Sequence, residues 1–204
     1  MDQTRFVPTL LPGAVAALLF LNVTTARGIV DLTPTPSEYS AEGIKVQQLI
    51  FNDDKQRISY DLPRGWAYRF DGGRIVLMPP EASFSEAVIQ AIPLPKPQRF
   101  DEATVKALEQ QVVSTLPPNS DAVTVIKSEQ NSLILNGNLS LEVVVSYNTL
   151  GSAFQRSVLF LNSPGTQLIF KVSARKKEFE RVYSAFRSSI LTWQWLDPLV
   201  AGAF

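Results

Sequence analysis

Apolar and polar residues alternate through much of the sequence, which predicts a protein built largely of β-strands. The clearest run lies between Leu139 and Asn148, where the odd-numbered positions are all apolar and the even-numbered positions are mostly polar. One apolar face and one polar face are typical of an antiparallel sheet that is covered on one side. The predicted strands are residues 44–51, 57–62, 65–70, 74–78, 85–92, 122–127, 139–148, 154–161 and 167–172.

Two segments instead carry apolar residues at three- and four-residue spacing, which predicts amphipathic helices. The first begins after Asp101, a favourable N-cap residue, and ends before the pair Pro117-Pro118. The second spans about residues 175–191. The order of strands, helix, strands and helix predicts an α+β domain over residues 43–191, an antiparallel sheet with two main helices packed on it.

The segments before this domain differ from it in composition. Residues 1–28 combine Arg5, a charge-free apolar run and small residues around Ala26, which is typical of a secretory signal peptide or, if uncleaved, of an N-terminal membrane anchor. A buried core helix is the alternative, but such a helix should show a polar face and this segment shows none. Residues 29–42 are rich in Pro, Thr and Ser, which predicts a linker.

The C-terminal segment, residues 192–204, is largely apolar and contains two tryptophans. One interpretation is that it folds back over the sheet and completes the core. The other is that it is exposed, in which case Trp193, Trp195 and Leu196 are candidates for binding a protein partner or a membrane interface.

The chain has no histidine and no cysteine, and its 19 basic and 19 acidic residues give a formal net charge of zero. Without these two residue types it cannot form Ser–His–Asp or Cys–His catalytic sets, the usual zinc sites, or disulfides. The balanced charge disfavours nucleic-acid binding, since phosphate contacts normally need a basic excess. We therefore expect no metal site, no cofactor and no catalytic residues.

A few side chains stay open as candidates for chemistry. Catalysis by carboxylates such as Asp61 and Glu142 would require two acids to converge in one cleft, and the sequence indicates no such pair. Trp66, Tyr68 and Phe70 occupy alternate positions, so they face one side of a strand. Such a row forms either part of the core or the lining of a ligand groove.

Two stretches resemble the PsbP-like superfamily. The sequence Tyr60-Asp61-Leu62-Pro63-Arg64-Gly65-Trp66 is similar to the family's early strand, Pro and Gly-Trp element, and residues 178–190 are similar to its closing helix. The resemblance covers about residues 44–191 and implies an α-β-α sandwich that serves as a binding scaffold and is often exported. The absence of histidine and cysteine departs from metal-associated and lipid-anchored members, so neither property is carried over.

These features together predict an exported accessory or binding module, periplasmic or extracellular, that recognises an envelope or secreted protein and is not an enzyme. The alternative is a carrier that holds a small molecule or lipid in an apolar pocket between the sheet and the helices. A carboxylate-based enzyme is the third hypothesis. An uncleaved N-terminal segment would add contact with the membrane.

Overall fold

The computed structural model describes residues 30–53, 56–96 and 98–196, which form eleven strands and two helices. The predicted signal peptide or anchor and residues 197–204 of the C-terminal segment lie outside the described residues. The elements are β1 (Asp31–Ala41), β2 (Ile44–Asp53), β3 (Gln56–Asp61), β4 (Ala67–Asp71), β5 (Arg74–Met78), β6 (Glu86–Leu94), α1 (Glu102–Ser114), β7 (Asp121–Gln130), β8 (Ser140–Thr149), β9 (Ser152–Ser163), β10 (Gly165–Arg175), α2 (Lys176–Ile190) and β11 (Gln194–Leu196).

The strands form two antiparallel sheets. The large sheet has seven strands in the order β4-β5-β6-β10-β9-β8-β7, and the small sheet has four in the order β1-β2-β3-β11. Helix α1 packs on β8 and β7, while α2 packs on β10, β9 and β3. One apolar cluster lies between α1 and the large sheet, and a larger one joins the other face of that sheet to α2 and the small sheet. This arrangement confirms the predicted α+β sandwich and adds a second sheet to it.

Both helices form where the apolar periodicity predicts them. Asp101 caps α1, because its carboxylate accepts a hydrogen bond of 2.8 Å from the main-chain N–H of Thr104. Leu108 and Val112, four residues apart, form the buried face of α1 and pack against the large sheet. The buried side chains of α2 follow the same spacing: Phe179, Val182, Phe186 and Ile190.

The segment predicted as a linker is a strand, because residues 31–41 pair with β2 along its length. Two prolines suggested a break in regular structure, yet Pro34 and Pro36 lie in the edge strand of the small sheet, where a missing N–H costs little. The pairing is irregular between Asp31 and Thr35, which accommodates the first proline. The folded domain therefore begins earlier than residue 43.

No helix within residues 30–196 that the structure describes has the length and apolar character needed to cross a membrane.

Candidate functional site

A concave surface lies beside the β1–β2 hairpin, on the face of the large sheet that also carries α2. Two adjoining cavities of about 330 Å³ each open there and share Glu38, Gln47 and Leu62. We call them together the hairpin groove. The remaining lining residues are Pro36, Ser37, Ile44, Lys45, Val46, Gln48, Leu49, Pro63, Arg64, Gly65 and Tyr68.

One wall of the hairpin groove is the turn that connects β3 to β4. Leu62 donates its main-chain N–H to the carbonyl of Gln47 at 2.9 Å, and Trp66 donates to the carbonyl of Pro63 at 3.0 Å. Gly65 has φ of +77°, a conformation in which a side chain would be strained. The Trp66 ring is buried and stacks on Phe186 of α2, with centroids 6.3 Å apart. The wall is thereby fixed to the core.

The opposite wall is held by hydrogen bonds that converge on Asp61. Its carboxylate accepts from the Tyr39 hydroxyl at 2.7 Å and from the Gln48 amide at 2.9 Å. Its main-chain N–H donates to the Thr192 hydroxyl at 2.8 Å. The bond to Asp61 raises the pKa of Tyr39. Asp61 therefore holds β1 and β2 through its carboxylate and the chain after α2 through its main-chain N–H.

The hairpin groove has an apolar floor and a polar rim. Leu49 and Leu62 are buried beneath it, and Tyr68 is half-buried at one side. The rim carries both charges, since Glu38 pairs with Lys45 across the hairpin at 3.0 Å. Such a surface can accept an apolar side chain on its floor while its amides bond to a main chain above.

The second candidate carboxylate, Glu142, lies elsewhere and is enclosed. Its side chain on β8 is 1% exposed. It accepts hydrogen bonds from Ser157 and Tyr183 at 2.8 Å each, and from Lys127 and Arg187 at 3.2 Å each. Burial alone would raise the pKa of Glu142, but the two hydroxyls and the two cations together hold it below its ordinary value. We call this set the Glu142 cluster.

The pKa of Tyr183, the phenol in the Glu142 cluster, is shifted upward, whereas that of Glu142 is shifted downward. Burial and the hydrogen bond to Glu142 raise the pKa of Tyr183 to about 12. Tyr183 therefore stays protonated and donates to a charged Glu142 near neutral pH. The structure does not bring Asp61 and Glu142 together, because the former lies on β3 of the small sheet and the latter on β8 of the large sheet.

The candidate partner-binding residues of the C-terminal segment divide into two groups. Trp193 is 1% exposed and packs against Phe51, Tyr60 and Phe170, so its prediction as a partner-contacting side chain is wrong: it completes the core. Trp195 and Leu196 are half-buried in β11, at the edge of the small sheet. For these two residues partner binding stays a prediction.

The row of alternating aromatic residues also divides. Trp66 precedes β4 and belongs to the core, Tyr68 lines the hairpin groove, and Phe70 is 42% exposed. The core interpretation therefore holds for Trp66, and for Tyr68 the lining of a ligand groove stays a prediction.

Of the residues that line the hairpin groove, only Tyr68 was proposed from the sequence as a ligand-groove residue, and β1, which forms one side of the groove, was not predicted as a strand. Pro36, Ser37 and Glu38 fell within the predicted linker, and nearly all of β1 after Leu32 is exposed, so no alternation marks it as a strand. Within the described part of the chain no group of three or more acids is placed to hold a metal ion.

Comparisons with known proteins identify the fold. No protein-family model matches the sequence, and no curated protein matches it. The structure is similar to the solution structure of cyanobacterial PsbP (CyanoP) from Synechocystis sp. PCC 6803, with a TM-score of 0.51 and 13% identity, covering 90% of this chain and 98% of that one.

Two further solved structures are similar at lower TM-scores. PA94 from Pseudomonas aeruginosa, a protein of unknown function described as a putative regulator, has a TM-score of 0.47 and 13% identity, covering 83% of this chain and 99% of its own. LpqN, involved in cell envelope biogenesis of Mycobacterium tuberculosis, has a TM-score of 0.49 and 15% identity, covering 80% and 90%. The element order, the two packed helices and the likeness to CyanoP agree with the resemblance seen in the sequence: the chain has the PsbP-like fold.

Proposed function

We propose that the protein is an exported accessory module that binds an extended segment of a partner protein in the hairpin groove. The observation that carries this proposal is the groove itself, which has a preformed apolar floor, a polar rim and walls fixed by hydrogen bonds. Each of its two cavities, at about 330 Å³, lies at the lower end of the range typical of ligand sites.

The chemistry of the rim supports a peptide as the occupant. Gln47 is exposed at the rim, and a side-chain amide can both donate to and accept from a peptide main chain. Leu62 on the floor provides the apolar contact that anchors most recognised segments. Export of the module rests on the signal-like pattern of residues 1–28. The proposed role is binding, not catalysis.

The volumes of the interior pockets argue against a lipid carrier. The pocket between α2 and the large sheet has a volume of about 10 Å³, and the pocket between α1 and that sheet has about 110 Å³. Pockets that enclose drug-sized or larger ligands usually have at least about 300 Å³, so both are too small for a lipid. Neither pocket can hold the fatty acyl chain of a membrane lipid.

Site-specific photocrosslinking tests the proposal. A benzophenone amino acid at Tyr68, in the full-length chain expressed in its native host, is expected to give one discrete adduct with a partner protein. The matched control places the same probe at Leu150, which is 85% exposed and lies in the β8–β9 turn, five strands away from β4 in the large sheet. We expect no such adduct there.

A second substitution separates groove binding from chance proximity. Gln47→Trp in the Tyr68 probe protein fills the hairpin groove and is expected to remove the adduct, whereas Lys176→Trp, on an exposed surface of α2, should leave it unchanged. The absence of any adduct at Tyr68, the same adducts from Leu150, or an adduct that survives Gln47→Trp would each overturn the proposal.

A further inference from the structure

A lysine interrupts the apolar surface that the large sheet turns toward α1. In the pairing of the strands, Lys171 of β10 lies directly between Val88 of β6 and Val158 of β9. These three side chains share a face with Ile169, which lies one position along that face of β10. Lys171 is half-buried there, although lysine is among the residue types least often found inside.

A pocket of about 110 Å³ opens at this lysine, between α1 and the sheet. Most of its wall is apolar, and Gln90, Gln111 and Lys171 are among its polar lining residues. The apolar wall consists of Val88, Val112, Val158, Phe160 and Ile169, with Thr115 at the end of α1.

The ammonium of Lys171 has no hydrogen bond and no ion pair among the described residues. Two other described lysines are paired, since Lys45 lies beside Glu38, and Lys127 lies beside Glu129 and Glu142. Burial and the charge of Arg156 lower the pKa of Lys171. The negative charge of Glu86 acts in the opposite direction but does not cancel this decrease. An anion at the ammonium would remove this penalty.

The surroundings of Lys171 are cationic in a chain whose net charge is zero. Arg156, on the neighbouring strand, is already engaged, because it donates to Ser173 at 2.9 Å and to the carbonyl of Thr115 at 2.8 Å. It neutralises the negative end of α1, so its charge is already matched and that of Lys171 is not. On this side of the sheet the described strands carry the cations Arg69, Arg74, Arg156, Lys171 and Arg175 and the acids Asp71 and Glu86.

We propose that this pocket binds a small organic carboxylate, with the carboxylate on Lys171 Nζ and the apolar part against Val112 and Val158. The apolar wall favours a carboxylate with a short hydrocarbon tail over an inorganic anion, which needs polar groups on all sides. A cavity of about 150 Å³ is large enough for benzene, so about 110 Å³ fits a tail on the order of three to five carbons.

Calorimetric titration of the full-length chain with butyrate, butyramide and inorganic phosphate at neutral pH tests this site. Butyramide has the same tail without the charge, so butyrate is expected to bind at least about tenfold more tightly. Phosphate is expected to bind more weakly than butyrate. Lys171→Met should lose that preference for the acid, and the matched control Lys177→Met, at an exposed lysine of α2 on the other face of the large sheet, should retain it.

The stability of Lys171→Met provides an independent check that the variant folds. Its melting temperature is expected to equal or exceed that of the wild type, because the substitution removes an unpaired ammonium from an apolar surface. If the variant does not fold, the carbon-13 resonance of the Lys171 side chain in the wild type, identified with Lys171→Arg, should still shift with butyrate and not with butyramide.

Several results would overturn the carboxylate site. They are no butyrate binding, equal binding of butyrate and butyramide, phosphate binding as tight as butyrate, or an equal loss in Lys177→Met. The pocket lies on the opposite face of the large sheet from the hairpin groove, so failure at one site leaves the other unaffected.

Discussion

Replacing Trp193 by alanine is expected to lower the free energy of unfolding by about 3–5 kcal/mol, the loss typical of truncating a fully buried aromatic side chain. The centroid of the indole lies 5.4 Å from the ring centroids of both Phe51 and Phe170 and 5.9 Å from that of Tyr60. These partners belong to β2, β10 and β3, so one side chain after α2 joins both sheets. Urea unfolding followed by far-ultraviolet circular dichroism measures the loss.

Two control variants show whether the loss comes from core packing. Trp193→Phe keeps most of the ring contacts and removes an indole N–H that is buried without a partner among the described residues, so it should cost well under half as much. Trp195→Ala, at a half-buried position, should cost about 1 kcal/mol. A Trp193→Ala protein as stable as the wild type, but unable to capture a partner, would return Trp193 to a binding role.

The turn after α2 explains how the C-terminal segment reaches the core. The Thr192 hydroxyl donates to the carbonyl of Ser189 at 2.7 Å and accepts from the N–H of Asp61. Trp193 then donates its main-chain N–H to the carbonyl of Ile190 at 3.1 Å. These bonds turn the chain from α2 onto β3, and the tryptophan enters the space between the sheets.

Much of the secondary structure could be predicted from the sequence because periodicity follows burial. The strand over residues 74–78 is observed with the predicted bounds, and the Asp71-Gly72-Gly73 turn before it has the positive φ angles of its two glycines, +57° and +88°. β1 could not be predicted in this way, because an edge strand exposed on both faces shows no alternation. β11, with three residues, is too short to show a period.

The hairpin groove could be predicted only in part. Pro63 and Gly65 mark the turn that forms one wall, and this local signal is visible in the sequence. The groove also needs β1 to lie next to Tyr68 of β4, which depends on how the two sheets pack. No local sequence pattern indicates that β1 and β4 are neighbours, so Ser37 and Glu38 could not be predicted as groove residues.

The polar face of β8 shows that apolar–polar alternation does not always predict which side chains are exposed. Its even-numbered residues were expected to face solvent, but α2 packs over the sheet and Ser140 and Glu142 are buried. The sequence pattern is the same whether such a face meets water or a helix that carries matching donors. Tyr183 and Arg187, four residues apart on α2, supply those donors to Glu142.

Replacing Glu142 by alanine is therefore expected to cost about 3–5 kcal/mol, as for other buried ion pairs that lose one partner. The substitution leaves Arg187, the Tyr183 hydroxyl and Ser157 without their shared acceptor. Arg187 keeps its hydrogen bonds to the Tyr183 hydroxyl and to the carbonyl of Ser132, but both acceptors are neutral, so its charge stays partly buried and uncompensated. Urea unfolding at neutral pH measures the change.

Variants of the other members of the Glu142 cluster separate charge burial from packing. Lys127 is 41% exposed, so Lys127→Met should cost no more than about 1 kcal/mol. The double variant Glu142→Leu with Arg187→Met removes both buried charges and should cost less than Glu142→Ala alone. Equal losses for Glu142→Ala and Lys127→Met would contradict a buried charge that depends on its partners.

The pH dependence of stability gives the sharpest test of the Glu142 cluster. Its hydroxyl and cationic partners hold the pKa of Glu142 in the folded protein below its ordinary value of 4.5, so the folded state favours the ionised form more than the unfolded state does. The resulting stabilisation is complete above about pH 4.5 and is lost as pH falls through the lower, folded pKa. The Glu142→Gln side chain does not ionise, so it makes no such pH-dependent contribution to stability. The difference in unfolding free energy between wild type and Glu142→Gln should therefore be largest near neutral pH and shrink in acid, whereas a constant difference would mean that Glu142 acts through its shape and not its charge.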